Sequence, residues 1–77
     1  MARVHIVSEG IDHAHRITSG RHTLTADEPA TLGGQDAGMA PFDLYLASLA
    51  ACTAITLRMY AARKQWPLEG VEVDLAL

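Results

Sequence analysis

The chain has 77 residues, a formal net charge of −3, a pI near 5.7, 49% hydrophobic residues and one cysteine. A domain of this size buries only about 60% of the surface its unfolded chain exposes, and one cysteine excludes an intramolecular disulfide to support it. The acidic balance argues against a nucleic-acid surface. Four scattered histidines, His5, His13, His15 and His22, make a poor zinc cage, so neither a metal nor a cofactor is expected. Oligomerisation or a missing half remains as the source of stability.

In chain order, the N-terminus through Ser8 is too short an apolar run for a secretory signal and is followed by Glu9. A soluble cytoplasmic protein with no membrane partner is the expectation. Residues 3–8, 11–18 and 21–26 alternate with a period of two, with Ile11, His13, His15 and Ile17 on one side of the second run. Glu9-Gly10 and Ser19-Gly20 break the runs, which predicts an antiparallel β-meander. Asp27 to Ala40 is a long loop with Pro29, the Gly33-Gly34 pair and Gly38. A loop of that length in a small domain is usually functional or mobile. Within it Asp27-Glu28 reads as a solvated turn, and Gly33-Gly34 lacks the lysine and strand–turn–helix context of a phosphate loop.

A helix is predicted from Pro41 to Lys64. Proline fits the first helical position, Asp43 meets the positive end of the dipole, and Arg58, Arg63 and Lys64 crowd the negative end. Pro67 disfavours helix at Trp66 and so ends it. From Glu69 the period returns to two, with Val71, Val73, Leu75 and Leu77 on one face of a further strand. The helix is apolar almost all round between Leu44 and Leu57, so it should be buried on both sides. One meander covers one side only, and the chain stops within its last strand. An obligate dimer, a truncated chain, or both is therefore expected.

Cys52 lies midway along the helix with no charged residue within five positions. Its helical neighbours are Ser48, Leu49, Ile55 and Thr56, none of them a base or a cation. Lowering a thiol pKa requires a positive charge, a histidine or a helix N-terminus nearby. Cys52 is thus either inert packing, the common state of free cysteine, or a nucleophile activated from elsewhere in the fold or from another subunit.

The motifs Gly38-Met-Ala-Pro41, Ala50-Ala51-Cys52 eleven residues after that proline, and Arg63-Lys-Gln-Trp-Pro-Leu68 resemble the OsmC/Ohr family of osmotically inducible and organic-hydroperoxide-resistance proteins. Asp27-Glu-Pro29 and Ala51-Cys-Thr53 bring the chain nearest the OsmC-like branch, and the likeness is strongest over 27–73. The resemblance implies an α+β fold, a meander, a long loop, one long buried central helix and a further strand, completed by dimerisation with active sites at the subunit interface. Residues 1–77 would form a single OsmC-like domain lacking its C-terminal half. Cys52 falls at the peroxidatic cysteine, which attacks a hydroperoxide and becomes a sulfenic acid.

The same resemblance marks three departures. The chain ends before a resolving cysteine. Phe42 occupies the slot where peroxidase branches carry a glutamate, with Asp43 one position on. Thr25-Ala26-Asp27 stands where those branches place an arginine, and Arg21 is too far along the strand to replace it. The function implied is a thiol-dependent peroxidase of the oxidative stress response, a homodimer using an external thiol reductant, with Leu49, Ile55 and Met59 as walls of a lipophilic pocket. The other reading is a non-catalytic dimeric binding module, or a fragment, with Cys52 as a core residue.

Overall fold

Short runs of β-branched and polar residues need cross-strand partners to satisfy their backbone groups, and here they find them in one another. The computed structural model describes residues 2–10 and 12–77, so the face assigned to Ile11 lies outside the described residues. Strands β1 (His5–Ser8), β2 (His15–Ser19) and β3 (His22–Ala26) form an antiparallel sheet in the order β1-β2-β3, the meander expected from the alternation. The register pairs Ile6 with Ile17 and Ile17 with Leu24. One sheet face therefore carries these three apolar residues together with His15 and Ala26, because alternate residues share a face. Gly20 opens the two-residue β2–β3 turn at φ +58°, the positive value such a tight hairpin turn requires there.

The second strand begins later than the pattern suggested. Glu9 N–H donates to the Ala14 carbonyl at 3.0 Å and closes the β1–β2 connection. Asp12, on this connection, instead accepts a 2.8 Å bond from the Gln35 side-chain amide.

The chain divides into two compact units, Met1–Asp43 and Leu44–Leu77. The first holds the sheet and the loop 27–40, which contains one turn of 3-10 helix at Ala30–Leu32. The second holds nearly all of helix α1 (Pro41–Lys64) and the residues after it. Asp43 sits in the first turn of α1 and Arg63 and Lys64 in the last, so charge at both ends matches the dipole as the sequence indicated.

The C-terminal end of α1 is closed by the chain reversing on itself. Gln65 adopts the left-handed conformation at φ +59°. Its N–H donates to the Ala62 carbonyl at 3.1 Å, and the Trp66 N–H donates to the Ala61 carbonyl at 2.9 Å. These are the two bonds of a Schellman motif. Trp66 then meets Tyr60 edge to face at 5.6 Å between ring centroids, and the Lys64 ammonium sits 5.6 Å from the same tyrosine ring. Arg58 adds a 2.7 Å bond to the Leu68 carbonyl. Glycine is the usual residue at the left-handed position, because a Cβ there is strained. Gln65→Gly should raise stability by about 0.5–1 kcal/mol, read as a higher midpoint in thermal melts followed by circular dichroism; an unchanged or lower midpoint would contradict this account of the helix end.

One expectation about the second unit needs correction. Residues 69–77 do not form the further strand. A strand exists only when its N–H and C=O groups meet a neighbouring strand, and the alternation alone provides none. The pattern survives only in part as a difference in exposure, with Val71 and Val73 half-buried and Glu72 and Asp74 exposed. Within the single chain, Ala61 is the one buried residue of α1. Tyr45, Leu49, Ile55, Leu57 and Met59 are all exposed. An apolar surface that goes all round a helix has no single stripe that one neighbouring layer can cover. By length and composition α1 is also apolar enough to cross a membrane. A soluble core helix passes the same test, and its uncharged stretch Leu44–Leu57 is of core-helix length.

Candidate functional site

Cys52 lies in the middle of α1 and is exposed. At 1.5 Å per residue its Cα is about 16 Å along the axis from Pro41, beyond the reach of the N-terminal dipole. Two hydroxyls flank it in sequence, and both turn back onto the helix. Ser48 Oγ donates to the Tyr45 carbonyl at 2.6 Å and Thr53 Oγ1 to the Leu49 carbonyl at 2.9 Å. Both hydroxyls are thereby committed to the helix backbone, and Thr56 is the hydroxyl one turn beyond the thiol. Of the three side chains expected to wall a lipophilic pocket, Ile55 lines a shallow hollow of about 290 Å³ with Arg58 and Gly70. Leu49 and Met59 are exposed on the helix.

Polar organisation is concentrated in the loop of the first unit. Asp27, read from sequence as part of a solvated turn, is only 2% exposed, the deepest side chain among the described residues. Its Oδ1 accepts the Glu28 N–H at 2.7 Å, and its Oδ2 accepts the N–H groups of Gln35 and Ala37, each at 3.2 Å. Backbone bonds reinforce this knot: Asp27 N–H to the Met39 carbonyl, Asp36 N–H to the Glu28 carbonyl, and a parallel bridge between Ala26 and Met39. The donated Glu28 N–H bond lowers the Asp27 pKa most. Burial opposes it, and the Ala37 and Gln35 bonds and nearby His13 lower it further. The carboxylate thus stands in for a strand or helix in satisfying loop backbone donors.

Two glycines make the knot geometrically feasible. A Cβ at Gly34 would collide with the Glu28 carbonyl, and one at Gly38 with the Thr25 carbonyl. Gly33, at φ +90°, ends the 3-10 turn, and the His13 imidazole lies over it, with Nε2 3.3 Å from where a Cβ would sit. Sequence alone marks these glycines as turn formers. It does not show that Gly34 and Gly38 are needed for close backbone approach.

Beside the knot lies an open hollow of about 580 Å³. Ile6, Leu32 and Pro41 supply apolar wall, and His13 and His15 supply imidazoles. The His15 ring is oriented by a 2.8 Å bond between Nδ1 and the His13 carbonyl. A carbonyl only accepts, so Nδ1 carries the proton of that bond. Among the described residues no group of three or more His, Cys, Asp or Glu side chains is arranged to hold a metal ion.

A three-stranded meander followed by a knotted loop and a long helix with a mid-helix thiol defines an α+β protein whose reactive candidate is a single cysteine. A family model described as OsmC-like protein matches residues 33–77, more than half of the sequence, and the chain belongs to that family. No curated protein and no solved structure matches it. The match begins inside the loop and includes Pro41, the whole of α1 and Cys52.

Proposed function

We propose that the protein is an OsmC-like thiol peroxidase that reduces organic hydroperoxides in the oxidative stress response, with Cys52 as its nucleophile. The observation that carries the reading is the family match across Pro41–Lys64, with an accessible thiol midway along that helix. The Cys52 thiolate attacks the terminal oxygen of R–O–OH. The O–O bond breaks, sulfur is oxidised to sulfenic acid, and the alkoxide leaves as alcohol after taking up a proton. An external thiol condenses with the sulfenic acid, releasing water. A second thiol then exchanges with the mixed disulfide and restores Cys52.

Homodimerisation belongs to the same reading. The exposed apolar residues all round α1 are what a second copy would cover. Such an interface would also supply the positive charge that Cys52 lacks on its own helix. A cytoplasmic location fits, because the cycle depends on reducing thiols.

Purified protein with dithiothreitol should consume cumene hydroperoxide, and Cys52→Ser should fall to the uncatalysed rate, a loss of about a hundredfold or more for removal of a covalent nucleophile. Equal rates for the two proteins would end the peroxidase reading. The presence of Phe42 in place of glutamate favours a second reading, a dimeric binding module with Cys52 as packing. That reading expects native Cys52 to resist iodoacetamide until the protein is denatured.

A further inference from the structure

We infer that the hollow beside the Asp27 knot is a binding site for small neutral hydroxyl compounds with an apolar body, such as alkylphenols. It lies entirely within residues 6–41 and does not depend on Cys52. At about 580 Å³, with mostly apolar walls and few polar groups, it has the size and composition of a small-molecule site.

The ligand class follows from the polar groups that remain free. Asp27 lines the hollow, but its two oxygens already accept three backbone N–H groups. His13 is laid over Gly33 and contributes positive character towards Asp27. His15 has Nδ1–H committed to the His13 carbonyl. In the neutral ring this leaves Nε2 as a bare acceptor whose orientation is fixed in advance, and a fixed acceptor on a strand loses little entropy when a donor arrives. An O–H group meets that requirement.

Charge rules against an anion and leaves a cation little to hold it. The carboxylates of Asp27 and Glu28 both line the hollow and repel an anion. A cation would find Asp27 already engaged by its three donors, with the half-buried Glu28 carboxylate alone left to attract it. Ile6, Leu32 and Pro41 then select an apolar body.

The test compares 4-tert-butylphenol with its methyl ether, which keeps the shape and loses the donor. Binding is followed on the intact protein by histidine side-chain and Leu32 methyl NMR signals. The phenol should shift the His15 and Leu32 signals and bind at least about tenfold more tightly than the ether, as expected when a site's acceptor is left unpaired. His15→Leu should remove that preference while retaining weak binding of both compounds, and Cys52→Ser should leave it intact. His15→Gln, which keeps an acceptor, guards against a folding defect and should retain part of the preference. Equal affinity for phenol and ether, tighter binding of 4-tert-butylbenzoate or 4-tert-butylbenzylamine, or signals that do not move would each overturn the assignment.

Discussion

Asp27→Ala should dissolve the order of the loop while leaving α1 helical. Three backbone N–H groups, those of Glu28, Gln35 and Ala37, end on this one carboxylate. Bonds to an ionised acceptor are stronger than those between neutral groups. Alanine removes all three acceptors together and leaves the donors with nothing near to replace them. Amide hydrogen exchange should show Gln35 and Ala37 losing about tenfold or more of their protection, while the amides of the central turns of α1 change little. Retained protection at Gln35 and Ala37 would show that the backbone bonds around Met39 hold the loop without Asp27.

The same carboxylate sets a pH dependence. Its pKa is lowered in the folded protein, so the native state favours the charged form and Asp27 stabilises the fold above its unfolded value, near 3.9. That contribution is lost as pH falls below the unfolded value and through the folded one. Loop protection should therefore be flat from neutral pH down to about pH 5 and decline below about pH 4. Asp27→Asn, which cannot ionise, should lose the acid dependence and start from the weaker level.

Gly38→Val should be strongly damaging to the first unit. Even the Cβ of alanine would overlap the Thr25 carbonyl, at the point where Ala26 and Met39 form their bridge. Neither partner is a flexible side-chain tip, so the backbone has to separate. The expected cost is about 1–3 kcal/mol for alanine, in the range of overpacking, and more for valine. Gly70→Ala is the control, since nothing lies within 4 Å of a Cβ there. Urea titrations should place Gly38→Ala below Gly70→Ala in midpoint. A Gly38→Ala midpoint equal to that of the parent protein would show that the close approach relaxes freely.

The meander and the helix were legible in the sequence because each has a local cause. The sheet follows from period-two alternation between glycine breaks, and α1 spans Pro41–Lys64 because its charges and its proline mark both ends. Cys52 was legible as a candidate through its distance from Pro41. The role of Asp27 was not, because an acid before a glutamate and a proline looks like any surface turn. Only the return of Gln35 and Ala37 to within 3.2 Å of its carboxylate distinguishes it. The tail from Glu69 shows the opposite limit: its alternation describes a preference, and pairing needs a neighbour that the segment does not contain. The hollow was equally hidden, since His13 and His15 become useful only when Leu32 and Pro41 arrive beside them.

The helix end described above has a practical consequence. Trp66 is the sole tryptophan and lies against Tyr60 in the second unit, whereas all four histidines belong to the first. The molecule therefore carries two separate natural spectroscopic reporters. Tryptophan emission follows the fastening of the helix end, and imidazole proton resonances follow the sheet and its loop. Heating the protein while recording both would show whether the two units unfold in one step or in sequence, with no label introduced.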